Sequence, residues 1–145
     1  MKQIVFIIQI IAFTSLLSHG QEKSHEKFDS VFIYSDMPSP SKLRMIENCN
    51  YAKIIAEQDI QKQEIKILII GGIAPVIYSS DSFFENKYHV SYYDFGDLPP
   101  NEDCVFKYNV EIFKYLNSTF GKRWKKEIRK NAYGLKQLKR KRKFH

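Results

Sequence analysis

The chain has 145 residues, a formal net charge of +7 and 27% charged side chains against 43% hydrophobic ones. That length holds one ordinary domain with a single core and needs no staples to fold. Neither of the two cysteines lies in a C-x-x-C pair or beside a histidine, which argues against a zinc site, and beyond residue 20 no apolar stretch is long enough to span a bilayer.

The charge is unevenly placed. Residues 121–145 hold 12 Lys/Arg against one acid, Glu127, a net +11. Residues 21–120 hold 10 Lys/Arg against 15 Asp/Glu, a net −5. A mildly acidic body with a strongly basic end points to an anionic partner or a solvated tail.

At the start, Lys2 precedes an apolar run from Ile4 to Leu17, and Ser18-His19-Gly20 leads into polar Gln21-Glu22-Lys23. A basic start, a short apolar core and small residues ahead of a cleavage point make residues 1–20 a predicted secretory signal peptide. The run is too short for a membrane span, which takes about 20 apolar residues. Export places Cys49 and Cys104 in an oxidising compartment, where they are a candidate disulfide; two buried thiols are the alternative.

Residues 21–30 are a polar leader, and Val31-Phe32-Ile33-Tyr34 has the makings of a short strand. Pro38 and Pro40 mark a turn or linker over 36–41. Leu43, Ile46, Ala52, Ile55 and Ile60 approximate a helical repeat over 42–60, with a start at Ser41 or a break near Asn48–Asn50 open. Residues 65–70 are the clearest strand: Ile65, Ile67 and Ile69 alternate with Lys66, Leu68 and Ile70, the pattern of a strand covered on both faces. Gly71-Gly72 ends it.

Ser82 and Glu85 have capping-box spacing at the head of a helix over 81–88, in which Phe84 and Tyr88 pair at i, i+4. An aromatic strand follows at 90–94. Pro99-Pro100 opens a helix over 102–119 with Glu102 and Asp103 at its positive end. Val105, Tyr108, Ile112, Tyr115, Leu116 and Phe120 form its apolar stripe, and Gly121 stops it. A last helix over 122–132 turns Trp124 and Ile128 inward. Residues 133–145 form a basic tail with little to bury. The fold expected is one small α/β domain over residues 31–132, with a two- or three-stranded, largely parallel sheet flanked by helices and a basic helix and tail at the end.

Chemistry is thinly signalled. Gly71-Gly72 follows a strand as phosphate-binding turns do, but no G-x-G-x-x-G or P-loop pattern accompanies it, and Pro75 occupies the place of a phosphate-binding helix. Asp94, Asp97, Glu102 and Asp103 miss the calcium-loop spacing and suit a solvated loop and a helix start. Ser79, Ser80 and Ser82 lack a G-x-S-x-G frame, and only His89, with Asp94 near it in sequence, offers a base. A small secreted hydrolase using the Ser79–Asp97 region is therefore the alternative to a non-catalytic binding domain, and no cofactor is called for. The positive signal is the cluster Lys136, Lys139, Arg140, Lys141, Arg142 and Lys143. Outside the cytoplasm its partners would be anionic lipid, lipopolysaccharide or acidic glycan, or an envelope protein, rather than nucleic acid.

The segment Phe83-Phe84-Glu85-Asn86-Lys87-Tyr88 resembles the namesake motif of the FEKKY-domain proteins, small exported bacterial proteins found mostly in Bacteroidetes. The resemblance continues through Tyr108-Asn109, Tyr115-Leu116, Gly121-Lys122 and Trp124-Lys125-Lys126, covering about residues 80–132. Asn86 replaces the first Lys of the motif, and a Pro-rich loop over 97–103 replaces a more compact turn. The resemblance implies export to the periplasm or beyond, and the domain limits. It brings no catalytic residues.

Overall fold

Two four-residue strands, β1 (Lys66–Ile69) and β2 (Ser91–Asp94), pair in parallel with Lys66 opposite Ser91 and Ile69 opposite Asp94. The computed structural model describes residues 37–141, with side chains as far as Leu138. The expected signal peptide, the polar leader and the strand near 31–34 lie outside the described residues, as do Arg142 and Lys143.

Around the strands the described chain forms α1 (Ser39–Met45), α2 (Tyr51–Lys62), α3 (Asp81–Tyr88), α4 (Glu102–Phe120), α5 (Trp124–Glu127) and α6 (Leu135–Lys141). This is the small mixed α/β fold with a parallel sheet that the pattern predicts. Helix α3 lies in the crossover that parallel strands require.

The helix expected over 42–60 is two helices. Pro40 stands in the first turn of α1, where its fixed φ is favourable, so the expected linker over 36–41 becomes helix at Ser39. Ile46 then turns extended, with ψ 133°, and the Asn48 side chain accepts the Asn50 N–H at 3.0 Å before α2 begins. Cys49, in this break, is bonded to Cys104 in the first turn of α4, their Cα atoms 4.4 Å apart. Closing the 55-residue separation contributes about 4 kcal/mol in the chain-entropy account.

The core lies where α2 and α4 pack on each other and α4 packs on β1. Ala52, Ile55 and Ala56 of α2 meet the α4 stripe Val105, Tyr108, Ile112 and Leu116, all buried. In β1, Ile67, Leu68 and Ile69 are fully buried, as a doubly covered strand requires. β2 is only half covered.

Among the described residues the sheet has two strands and so two edges, and side chains occupy both. The Leu68 N–H donates to Asn109 Oδ1 at 2.9 Å, and Asn109 Nδ2 donates back to the Leu68 carbonyl at 2.7 Å. The buried Asn109 amide thus stands in for a neighbouring strand. On the far edge the Tyr92 N–H donates to Glu85 Oε1 at 2.7 Å. Glu85 therefore does not form the expected capping box with Ser82; it faces β2 instead. Capping strand edges in this way opposes edge-to-edge association.

Candidate functional site

The C-terminal third departs most from expectation, and it carries the candidate anion-binding residues. The helix expected over 122–132 is only the single turn α5. Trp124 is fully buried, stacked on Phe113 with ring centroids 5.3 Å apart, and its indole N–H donates to Asn117 Oδ1 at 3.3 Å. After Glu127 the backbone turns extended at Ile128, with ψ 146°. The chain then runs beside β1: Ala132 bridges Ile69, and the Tyr133 N–H donates to the Leu68 carbonyl at 3.2 Å. Asn109 Nδ2 also donates to the Tyr133 carbonyl at 3.0 Å. Pairing with a buried strand overrides the helical pattern of 128–132.

The expected tail over 133–145 also changes character. Gly134 sits at φ 86°, and a Cβ there would come within 2.8 Å of the Phe106 ring, so both conformation and space require glycine. Helix α6 starts immediately after it. Leu135 is buried, and Leu138 lines a cleft together with residues of α4 and α5, so the packed region reaches past 132.

Helix α6 carries part of the basic sequence. Lys136 is exposed on its first turn, and the helix continues through Lys139, Arg140 and Lys141. Lys122, Arg123, Lys126 and Lys130 are exposed on or beside α5. Glu127, the one acid in residues 121–145, is drawn to α3: Lys87 Nζ lies 2.7 Å from its carboxylate, and the Tyr88 hydroxyl donates to it at 3.0 Å. The hydrogen bond from Lys87 holds the Glu127 carboxyl below its ordinary value, and the same contact raises Lys87. Between α4, α5 and α6 an apolar cleft of about 160 Å³ remains, lined by Val110, Trp124, Leu135 and Leu138, with Lys114, Asn117 and Lys125 completing it.

The residues of the hydrolase alternative stand apart. His89 is the C-cap of α3, at the amino end of β2 and at φ 51°, whereas Asp94 closes the carboxyl end of the same strand. There Asp94 Oδ1 accepts the Gly96 N–H at 2.9 Å, and the carboxylate lies so close to Gly71 that a Cβ would meet it at 2.4 Å. Gly71-Gly72 is thus a strand exit pressed against an aspartate, an unfavourable place for phosphate. Ser79, Ser80 and Ser82 are exposed and do not join His89. His89 does line an open groove of about 1000 Å³ with Glu64, Glu85 and Ser91, but neither Asp94 nor those three serines reaches it. Among the described residues no three His, Cys, Asp or Glu side chains cluster as a metal site would need.

Two buried polar clusters escaped the sequence reading. In one, Asp59 accepts from both the Ser39 and the Tyr108 hydroxyls, tying α1 and α4 to α2. Burial first, then the Asp59 charge, pushes the Tyr108 phenol well above its ordinary value. In the other, Arg129 pairs with Asp81 at 3.3 Å, donates to the Val76 carbonyl at 2.9 Å, and lies between the Tyr78 and Tyr92 rings. Their hydrogen-bond partners are 20 to 53 residues apart in sequence, beyond any local pattern.

Comparisons with protein-family models, with curated proteins and with solved structures return no match.

Proposed function

We propose that this chain is an exported, non-catalytic binding domain of the FEKKY type, acting at the bacterial cell envelope and meeting anionic surface through its basic C-terminal helix. What supports this reading is a C-terminal sequence with 12 Lys/Arg over residues 121–145 that continues into helix α6, whose Leu135 is buried and whose Leu138 lines a cleft with residues of α4 and α5. The single acid of that region is held elsewhere by Lys87. A charge cluster on a docked helix has a defined orientation toward a surface. Near an anionic membrane each such Lys or Arg is worth about 1 kcal/mol, within a Debye length of about 8 Å at physiological salt.

The motif side chains agree with a structural role for the FEKKY-like segment. Phe84 is in the core, Glu85 caps β2, and Lys87 and Tyr88 bind Glu127. The Cys49–Cys104 bond is of the kind an oxidising compartment preserves.

The test is charge removal without truncation, because cutting after Leu135 would also take Leu138 from its packing. Replacing Lys136, Lys139, Arg140, Lys141, Arg142 and Lys143 with Gln should abolish most binding to anionic vesicles and to heparin. Binding of the unaltered protein should weaken steeply with added salt. Thermal stability should change little, as is usual for surface substitutions. If the neutral variant binds as well as the original, the reading fails.

A further inference from the structure

Cations alone would hold any polyanion, but the cleft beside them asks for hydrocarbon. Its walls are Val110, Trp124, Leu135 and Leu138, and Lys114 and Lys125 stand at its rim. At about 160 Å³ it is close to the size of apolar cavities of about 150 Å³ that stay dry and take up benzene. It falls below the range of about 300–1,000 Å³ typical of sites that enclose a whole small molecule.

We propose that the cleft takes a segment of one acyl chain of an anionic lipid, with the headgroup phosphate met by Lys114 and Lys125. This rests on the surface-binding reading above and gives that surface its chemistry. The volume admits a short run of methylenes and leaves the rest of the lipid outside. Lys114 is well exposed and, among the described residues, pairs with its helix neighbour Glu111 at 2.8 Å, an exposed ion pair of the kind worth little in water. The Lys125 ammonium lies 5.3 Å from the centre of the Trp124 ring, so one side chain marks the rim while the indole beneath it forms the wall. Asn117, the remaining polar lining residue, accepts the Trp124 indole N–H. Charge complementarity selects an anion, and the apolar walls select one that carries hydrocarbon.

Trp124 is the only tryptophan in the chain, so it reports on its own cleft. The protein purified after export is mixed with phosphatidylglycerol vesicles whose acyl chains carry bromine, a contact quencher of indole emission. The expected result is loss of most Trp124 emission on binding. Val110→Phe, which fills the cleft, should still bring the protein down with the vesicles but should restore the emission. Leu138→Phe fills it from the opposite wall and should give the same answer if the first variant disturbs the fold. Vesicle binding without quenching would overturn the cleft proposal and leave the surface reading standing. Quenching that persists in both filled variants would also overturn it, as would binding to heparin but not to phosphatidylglycerol. No binding to any polyanion would bring down the surface reading first.

Discussion

Arg129→Met offers the sharpest test of how the C-terminal segment is held. The Arg129 and Asp81 side chains are 7% and 9% exposed, so the pair is effectively buried. Asp81 Oδ2 accepts from both Arg129 and the Tyr78 N–H, while Asp81 Oδ1 is buried with no hydrogen-bond partner among the described residues. Removing the guanidinium leaves a carboxylate with half of its acceptors already unmet. Breaking one side of a buried pair costs about 3–5 kcal/mol, and the lost contacts with the Tyr78 and Tyr92 rings add to that. A loss of about 4 kcal/mol is therefore expected, a fall of roughly 15 °C in melting temperature for a domain of this size. Asp81→Asn/Arg129→Met removes both charges and should lose far less than the two single changes together. Urea midpoints at constant slope measure all four corners of the cycle. If Arg129→Met costs under about 1 kcal/mol, or if the single effects add within about 0.5 kcal/mol, the two residues are not coupled and the reasoning is wrong.

Trp124→Ala should cost about 3–5 kcal/mol, because the indole is fully buried and stacked on Phe113; a denaturant midpoint shift worth under about 1 kcal/mol would contradict that placement. Glu127 gives a pH signature. Its folded pKa lies below the ordinary 4.5, so its stabilisation is complete above that value and is lost as pH falls through the lower folded value. The gap in melting temperature between the unaltered protein and Glu127→Gln should stay constant above the ordinary carboxylate value and close as pH falls through the lower folded value. A gap still open below that value would place the Lys87 contact outside the folding balance.

Legibility followed the range of the forces. Where one stretch decides its own structure, the sequence sufficed: Ile67, Leu68 and Ile69 as a buried strand, the α3 and β2 pair after Gly71-Gly72, and α4 from Asn101 to Gly121. Prolines misled at α1, because Pro38 and Pro40 suit a helix start as well as a linker. The segment 128–132 misled for a different reason. Its periodicity permits a helix, but the open edge of β1 and the Asn109 amide offer its backbone better partners. No local signal records that, among the described residues, β1 has no further named strand on that side.

The same long-range logic explains two polar side chains of the helices. Glu85 and Asn109 are polar residues on helices, and from sequence they suggest surface or catalysis. In the fold each satisfies the edge of one strand of the sheet, which has two strands among the described residues, Glu85 at Tyr92 and Asn109 at Leu68. A larger sheet would meet those backbone groups with more strand. A small one must find them side chains, and the cost of an unmet buried amide fixes which residue types serve. Lys87 and Tyr88 complete the arrangement by holding Glu127, which turns the only acid of the C-terminal region toward α3.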